Sequence, residues 1–166
     1  MKQLLLPKRY LPKGLTKGDK QKQLKMLMKS RRLYKKGKYY TRKNVSSFKS
    51  KKSHYVDEAK KMYKVNKIGA TNELSNSTRC KKSSLAKIIK KGEGAYYSSG
   101  SRPNQTAQSW GIARLASAIT SGKAAVVDYA ILEKGCTSSS RALRLAKKAL
   151  TKKNKEKTRK VPKIKI

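Results

Sequence analysis

Acidic side chains are scarce in this sequence, which has 8 Asp and Glu against 45 Lys and Arg and a formal net charge of +37 at pH 7. Large apolar side chains are scarce too, because Leu, Ile, Val and Phe together supply 30 of the 166 residues. A chain with so little apolar material and so much charge of one sign cannot bury enough surface to fold throughout. We therefore expect a small, local core and a polyanion or an acidic protein surface that neutralises the charge.

Cysteine and histidine are too few for the usual metal sites or disulfide frameworks. Cys80 and Cys136 lie far apart and form no CxxC pair, and His54 is the one histidine. Structural zinc sites need four such ligands at short spacings, and disulfide-rich domains carry more cysteines. We therefore predict two free, buried thiols, no metal ion and no cofactor.

Groups that could perform catalysis are also sparse. The eight carboxylates are scattered, and Asp57 and Glu58 form the one adjacent pair. His54 has no obvious acid or nucleophile to work with. Acid–base, nucleophilic and metal-assisted mechanisms all need such groups to converge. The sequence therefore predicts a protein that is not an enzyme and has no catalytic residues.

Long apolar runs are absent as well. The leucine run at residues 4–6 ends at a proline followed by basic residues, so it is too short for a signal peptide. The best apolar stretch, residues 115–132, is interrupted by Lys123 and Asp128, so no transmembrane span is predicted. Contact between the basic segments and membrane headgroups stays open.

The residues that are present fall into three parts by composition. Residues 1–55 have 19 basic residues and one acidic residue, residues 56–150 have 18 and 6, and residues 151–166 have 8 and 1. This pattern predicts a mainly α fold, with a small helical domain over residues 56–150. A basic, aromatic-containing arm (1–55) and a basic C-terminal tail (151–166) are expected to be largely extended.

The N-terminal arm interleaves basic and aromatic residues. Pro and Gly break it into extended pieces, and Asp19 is expected to cap one short helix with Leu24, Leu27 and Met28 on one face. Such an arm suits nucleic acid, through phosphate contacts and stacking, or a groove in another protein, through aromatic anchors such as Phe48. The predicted partner-binding or polyanion-binding residues are Arg31, Arg32, Tyr34, Lys35, Lys36, Lys38, Tyr39, Tyr40, Arg42, Lys43, Lys51 and Lys52, with Arg141, Arg144 and Lys148.

Helical periodicity recurs through the middle part of the chain. We expect helices after Asp57, over residues 83–92 with Gly92 as C-terminal cap, from about 104 to 120, and over 124–132. The segment 124–132 is apolar on nearly every side and is predicted to be the central buried element, with a strand as the alternative. The predicted core residues are Trp110, Leu115, Ile119, Val127, Ile131 and Leu145.

The last predicted helix, from about residue 141, is the most clearly amphipathic one. Its apolar stripe is formed by Ala142, Leu145, Ala146, Ala149 and Leu150, and its other positions are mostly Lys and Arg. We expect this helix to pack by the apolar stripe and to present a basic face outward.

The segment from residue 91 to 110 has the most unusual composition. Its glycines allow tight turns and its serines offer hydroxyls just before a predicted helix N-terminus. A candidate anion-binding turn is formed by Ser99, Ser101 and Arg102. The segment lacks the residue order of a P-loop, so a structural turn that packs Tyr96 and Tyr97 against Trp110 is favoured.

These residues also carry a resemblance to a known protein family. The run SSGSRPNQTAQSWG lies inside GEGAYYSSGSRPNQTAQSWGIARLASAITSGKAAVVDYAILEKGC, residues 92–136. That segment resembles a basic domain of unknown biochemical function found in large DNA viruses of algae and other protists. The likeness covers about residues 62–148 and leaves both ends of the chain outside it. It implies a viral origin and an architectural or virion role, and it supplies no catalytic residues.

Two functions from different classes remain. A minor capsid (cement) protein would bridge the major and other minor capsid proteins on the inner side of a virus shell. The alternative is a protein that binds DNA without regard to sequence and condenses or packages the viral genome. The expected location is the virion, on the inner capsid side. A ribosomal protein is a more distant interpretation of the same composition.

Overall fold

The computed structural model of the chain describes residues 4–155 and 161–166. Within these residues the chain is mainly helical, as predicted. Among the described residues, no helix combines the length and the apolar content that a membrane crossing needs. The elements are β1 (Leu5–Pro7), α1 (Lys17–Tyr34), α2 (His54–Tyr63), α3 (Asn72–Thr78), α4 (Lys82–Ser98), α5 (Ala107–Ile119), α6 (Lys123–Val127), α7 (Tyr129–Gly135), α8 (Arg141–Lys155) and β2 (Lys163–Lys165), with a 3-10 turn at Lys8–Tyr10.

These elements group into two compact units. We call the unit formed by Met1–Lys51, Gly94–Ala107 and Arg159–Ile166 the basic unit. We call the unit formed by Lys52–Glu93 and Gln108–Thr158 the core unit. The basic unit contains β1, α1, the end of α4 and β2, and the core unit contains α2, α3, most of α4 and α5, and α6 to α8. A segment from the middle of the sequence therefore belongs with the chain ends.

The core unit is built around one cluster of buried apolar side chains. Leu85 and Ile88 of α4 and Leu115 and Ile119 of α5 are fully buried there. Their i, i+3 and i, i+4 spacings place each pair on one helical face, as the sequence predicted. The Tyr63 hydroxyl donates a hydrogen bond to the Ile119 carbonyl at 2.6 Å, and burial raises the pKa of Tyr63.

The apolar segment 124–132 is not the single buried helix that was expected. α6 ends at Val127, and Asp128 separates it from α7, with the Asp128 carboxylate bound by Arg114 and Lys91. The break leaves Val127 at the end of α6, where its side chain is 64% exposed. Val127 is therefore not a core residue. Of the other predicted core residues, Leu115 and Ile119 are buried, and the half-buried ones are Trp110, Ile131 and Leu145.

Gly92 does not cap the C-terminus of α4, because this helix continues to Ser98. Gly92 faces Gly111 of α5, and a Cβ atom on Gly92 would lie 2.5 Å from the Gly111 Cα. The absence of both side chains lets the two helix backbones approach closely. The prediction of Gly92 as a C-terminal cap is therefore wrong, and the structure gives it a role in helix packing.

Cys80 and Cys136 form a disulfide bond, so the prediction of two free thiols is wrong. Cys80 follows α3 and Cys136 follows α7, and the two residues pair as an isolated antiparallel bridge. A backbone hydrogen bond from Lys81 to Gly135 at 2.7 Å lies beside it. The two cysteines are 56 positions apart and meet through tertiary packing, which their spacing in the sequence does not reveal.

The predicted extended arms are not confirmed. β1 pairs with β2 in an antiparallel two-stranded sheet, with Leu6 opposite Ile164, and Leu6 is fully buried. α1 then occupies 18 residues of the expected N-terminal arm. The expected tail, residues 151–166, begins inside α8 and ends as β2, and its residues 156–160 lie outside the described residues.

α1 buries a face of mixed polarity rather than an apolar one. Met28, which the sequence placed on the buried face, is 40% exposed. The buried residues of α1 are Gln23, Met26, Leu27 and Ser30. The Gln23 amide donates to the carbonyl of Tyr10, and the Ser30 hydroxyl donates to the carbonyl of Tyr97 at 3.0 Å. Polar partners inside the basic unit therefore set which face of α1 points inward.

Candidate nucleic-acid interface

Arg42 lies in the interior of the basic unit and is only 6% exposed. Its guanidinium donates hydrogen bonds to the Tyr96 carbonyl at 2.9 Å and to the hydroxyls of Ser30 and Ser101 at 3.0 and 2.8 Å. The Cζ atom lies 3.8 Å from the centroid of the Tyr96 ring. The Tyr96 hydroxyl accepts a further hydrogen bond from the Arg42 backbone N–H. One side chain thus joins α1, the segment after it and the end of α4.

Arg42 is held by neutral groups. Within the described residues it forms no ion pair. Burial lowers the pKa of Arg42, while the ring face of Tyr96 and the three hydrogen bonds stabilise the charge. Arg42 was predicted to bind a partner, but its guanidinium is directed inward. We therefore leave it out of the candidate surface and assign it to the packing of the basic unit.

Three tyrosines form a row at the surface of the basic unit, which we call the tyrosine row. The Tyr39 ring centroid lies 6.2 Å from that of Tyr34 and 4.9 Å from that of Tyr97. Tyr97 packs edge-on against the buried Tyr96 at 5.1 Å, which anchors the row to the interior. Tyr39 is 71% exposed and Tyr34 is 38% exposed. Exposed rings held in this way are suited to stacking against planar groups.

A tight turn brings the tyrosine row together. Gly37 has a φ of +70°, a left-handed conformation that glycine adopts without strain, and its N–H donates to the Tyr34 carbonyl at 2.9 Å. The chain therefore reverses directly after α1, and Tyr39 meets Tyr34. The predicted basic residues around this turn are all exposed, and they are Arg32, Lys35, Lys36 and Lys38.

Arg31 and Tyr40 differ from their neighbours because each is engaged within the basic unit. Arg31 is half-buried and donates two hydrogen bonds to the Ser99 carbonyl, at 2.9 and 2.7 Å. Tyr40 is half-buried too, and the Lys29 Nζ lies 4.5 Å from its ring centroid. Arg31 therefore positions the chain after α4, and Lys29 covers the ring of Tyr40.

The remaining predicted binding residues belong to both units. Lys43 and Lys51 are exposed in the basic unit. Lys52 belongs to the core unit and forms a 3.4 Å ion pair with Asp57. The basic face of α8, also in the core unit, is exposed as predicted and includes Arg141, Arg144 and Lys148. The residues selected from the sequence thus divide between two surfaces, of which the one in the basic unit also carries the tyrosine row.

The turn proposed as an anion site is largely a packing element. Gly100 has a φ of +123°, and a Cβ atom on it would lie 2.7 Å from the Leu27 Cδ2. The buried Ser101 hydroxyl accepts from Arg42 and donates to the Arg102 carbonyl at 2.8 Å. Ser99 is exposed but its carbonyl is bound by Arg31, as described above. The Arg102 side chain is exposed and remains available to an anion.

Carboxylates hardly offset the charge of the basic unit. Between Met1 and Lys51 the sequence has 18 Lys and Arg and one acidic residue, Asp19. The Ser47 hydroxyl and N–H donate to the Asp19 carboxylate at 2.5 and 2.8 Å, and these bonds lower the pKa of Asp19. The Thr16 hydroxyl, rather than Asp19, caps α1.

The described residues do not bring three His, Cys, Asp or Glu side chains together where a metal ion could bind.

Tyr97 and Asn104 belong to this region but were not among the predicted binding residues. Tyr97 joins the tyrosine row although 57 residues separate it from Tyr39. Asn104 holds the segment after Arg42, because its amide donates to the carbonyls of Val45 and Phe48 at 3.0 and 2.6 Å. No local pattern reveals either contact, since both depend on the return of residues 94–107 to the N-terminal segment.

Comparison with known proteins identifies the family of this chain. The chain matches the family of unknown function DUF5824 over residues 7–132. No curated protein and no solved structure matches it. The match begins within β1, so it includes most of the N-terminal segment that the sequence resemblance had left outside. Because it covers well over half of the 166 residues, the chain belongs to the DUF5824 family of unknown function.

Proposed function

We propose that this protein binds nucleic acid without regard to sequence, through the basic unit. The observation that carries the proposal is the combination on this unit of exposed charge of one sign with the tyrosine row. Tyr34 and Tyr39 are exposed, Lys35, Lys36 and Lys38 lie beside them in the chain, and Asp19, the one carboxylate of residues 1–51, is bound by Ser47. The role is one of binding, with no catalytic step.

The physical chemistry of the surface explains the expected lack of sequence preference. Lysine side chains on flexible stems neutralise phosphates and release counterions, which gives affinity that depends steeply on salt. Stacking on tyrosine rings accepts any base, because every base has a π face. A surface of lysines and tyrosines therefore supports tight binding with little readout of base edges.

The biological setting of this proposal comes from the resemblance to proteins of large DNA viruses. A net charge of +37 would neutralise many phosphates, which suits condensation or packaging of a viral genome. The proposed location is accordingly the virion, on the inner side of the capsid, where a packaged genome would lie.

Binding to oligonucleotides across a salt series tests the proposal. The full chain should bind oligonucleotides of equal length and different sequence with similar affinity, and log K should fall linearly with log salt. Tyr39→Ala should weaken binding at every salt concentration and leave the slope unchanged, because stacking releases no counterions. Lys38→Gln should instead lower the slope by about 0.7 on a single strand. No measurable binding, or binding that depends on one sequence, would contradict the proposal.

A minor capsid role is the second candidate, and the exposure of Tyr39 favours it. A 71% exposed aromatic ring among lysines could also insert into a pocket of a major or minor capsid protein. The long extended arms that would bridge capsid subunits are not confirmed, so the surface of the basic unit would have to provide the contact. In this role Tyr39→Ala would weaken assembly with capsid subunits more than Lys38→Gln, and neither variant would alter DNA binding.

A further inference from the structure

A small cavity opens on the basic unit at a place where cations and an aromatic ring converge. Its volume is about 160 Å³, and it is lined by Phe48, Lys49, Lys51, Arg102 and Gln105. Three of these five residues are cationic and none is acidic. Lys49, Lys51 and Arg102 are exposed, whereas Phe48 and Gln105 are half-buried.

Hydrogen bonds fix the backbone beside this cavity. Asn104, with a φ of +60°, accepts a hydrogen bond from the Val45 N–H at 2.7 Å and donates to the carbonyls of Val45 and Phe48. Ser47, next to Phe48, is bound by Asp19 at the start of α1. The segment that carries Phe48 is therefore held by Asn104 to the turn that follows Arg102 and by Asp19 to α1. The backbone of the site is therefore preformed, and the exposed side chains of Lys49, Lys51 and Arg102 become ordered when a ligand enters.

The lining residues select the chemical class of the ligand. A guanidinium presents paired donors that match the geometry of a phosphate, and two ammonium groups add positive charge. A phenylalanine ring at the side of the cavity provides an apolar face for a sugar or a base. The cavity is large enough to admit a phosphate and part of a nucleoside.

We propose that this cavity binds one nucleotide unit, with the phosphate held by Arg102, Lys49 and Lys51 and the nucleoside against Phe48. The inference rests on the proposed function and deepens it, because it gives the bound strand a defined position on the basic unit. It also assigns a role to Arg102. The Ser101 hydroxyl does not share this role, because it accepts from Arg42 and donates to the Arg102 carbonyl.

Titration of the full chain with thymidine 5′-monophosphate and, separately, with inorganic phosphate tests this site. The nucleotide should bind with 1:1 stoichiometry and more tightly than phosphate. Arg102→Gln should weaken both ligands about tenfold, the effect of losing a charge-assisted bidentate contact. Phe48→Leu should weaken the nucleotide about fivefold or more, the lower range for one stacking contact, and leave phosphate binding unchanged. Lys13→Gln, an exposed residue of the basic unit outside the cavity, is the matched control and should leave both unchanged.

The sole phenylalanine of the chain gives a second readout that does not need a Phe48 variant to fold. In the parent protein the ring resonances of Phe48 should shift on addition of the nucleotide and show contacts to the thymine methyl group. Inorganic phosphate should leave these resonances nearly in place. Absence of any shift of the Phe48 ring at saturating nucleotide would overturn the site.

A titration with an oligonucleotide distinguishes failure of this site from failure of the proposed function. An oligothymidylate of about 20 nucleotides should lose affinity in Arg102→Gln and in Phe48→Leu, relative to Lys13→Gln. If the parent binds it and both cavity variants match the control, the nucleotide site is wrong and the basic surface still binds nucleic acid. If the parent binds neither oligonucleotide nor mononucleotide, both proposals fail. Equal affinity for nucleotide and phosphate, with Phe48→Leu neutral, would show an anion site without nucleotide recognition and would also overturn the inference.

Discussion

The two units of this protein are stabilised by different chemistry. The core unit has a continuous cluster of buried apolar side chains, a disulfide and a buried carboxylate bound by two cations. The basic unit also buries apolar residues such as Leu6 and Leu27, but its segments are joined largely by side-chain hydrogen bonds from Arg42, Arg31 and Asn104. A segment dense in lysine thus folds by using polar side chains as connectors between its parts.

The comparison indicates that, in a chain with a net charge of +37, stability and exposed positive charge are provided largely by different parts of the molecule. Most of the buried apolar residues and seven of the eight acidic residues of the sequence belong to the core unit. The basic unit has 23 Lys and Arg against one acidic residue, together with the exposed Tyr34 and Tyr39, and the exposed groups remain available to a polyanion. Stability and binding are therefore expected to respond to different substitutions.

Loss of the disulfide should have the largest effect on stability. Closure of a loop of 56 residues corresponds to about 4 kcal/mol in the chain-entropy description. Reduction, or replacement of Cys80 and Cys136 by Ser, should lower the free energy of unfolding of the core unit accordingly. Fluorescence of Trp110, the one tryptophan of the chain, can follow this in a denaturant titration. An unchanged midpoint after complete reduction would contradict the assignment.

Asp128→Asn should cost about 3 kcal/mol, since it removes the partner of Arg114 and Lys91 from a buried site. Arg114 donates to both carboxylate oxygens at 2.8 Å and Lys91 lies at 2.9 Å. Burial raises the pKa of Asp128, but these hydrogen bonds outweigh it and hold the pKa below its ordinary value.

The Asp128 carboxylate also makes the stability of the core unit depend on pH, with a definite sign. Because the folded-state pKa of Asp128 is lowered, its stabilisation is complete above the ordinary carboxyl pKa and is lost as pH falls through the folded-state value. The stability difference between parent and Asp128→Asn should therefore shrink in acid. A difference that stays constant from neutral pH into strong acid would argue against the ion pairs.

Arg42→Met should destabilise the basic unit by about 2 kcal/mol, because the Tyr96 carbonyl loses its donor in a buried place. Ser30 and Ser101 keep other partners, since each hydroxyl also donates to a backbone carbonyl. Near-ultraviolet circular dichroism of the tyrosines during denaturation measures the effect. If Arg42→Met instead weakens DNA binding while stability is unchanged, the guanidinium faces the ligand and our placement is wrong.

Tyr39→Ala should have the smallest effect on stability, within about 0.5 kcal/mol, because the side chain is 71% exposed. The same change should lower affinity for single-stranded DNA at every salt concentration. Thermal unfolding and oligonucleotide titration of one preparation give both values. A large stability loss would place the Tyr39 ring in the interior and remove it from the interface.

The sequence predicted the parts of the fold that depend on local periodicity. The α5 stripe with Leu115 and Ile119, and the basic outer face of α8, follow from spacings of three and four residues. The scarcity of carboxylates in the N-terminal segment likewise showed where the basic surface lies. These features need no knowledge of what the chain packs against.

The parts that failed depend on contacts between distant segments. Composition indicated an extended arm because it does not show that Ser30, Tyr96 and Ser101 supply acceptors for Arg42. Cys80 and Cys136 carry no motif, and their pairing needs the packed helices. Val127 was assigned to the core because apolar character alone does not show that the chain breaks at Asp128, where a carboxylate meets two cations.

The central claim is that nucleic acid binds the basic unit, and two charge-matched triple variants test it most directly. Lys35, Lys36 and Lys38 changed together to Gln remove three exposed charges beside the tyrosine row, and Arg141, Arg144 and Lys148 changed to Gln remove three from α8. The measurement is the salt slope of affinity for a single-stranded oligonucleotide. The first variant should lower the slope by about 2, since each lost phosphate contact removes about 0.7, and the second should leave it unchanged. Equal slopes for the two variants, or a loss confined to the α8 variant, would contradict the account.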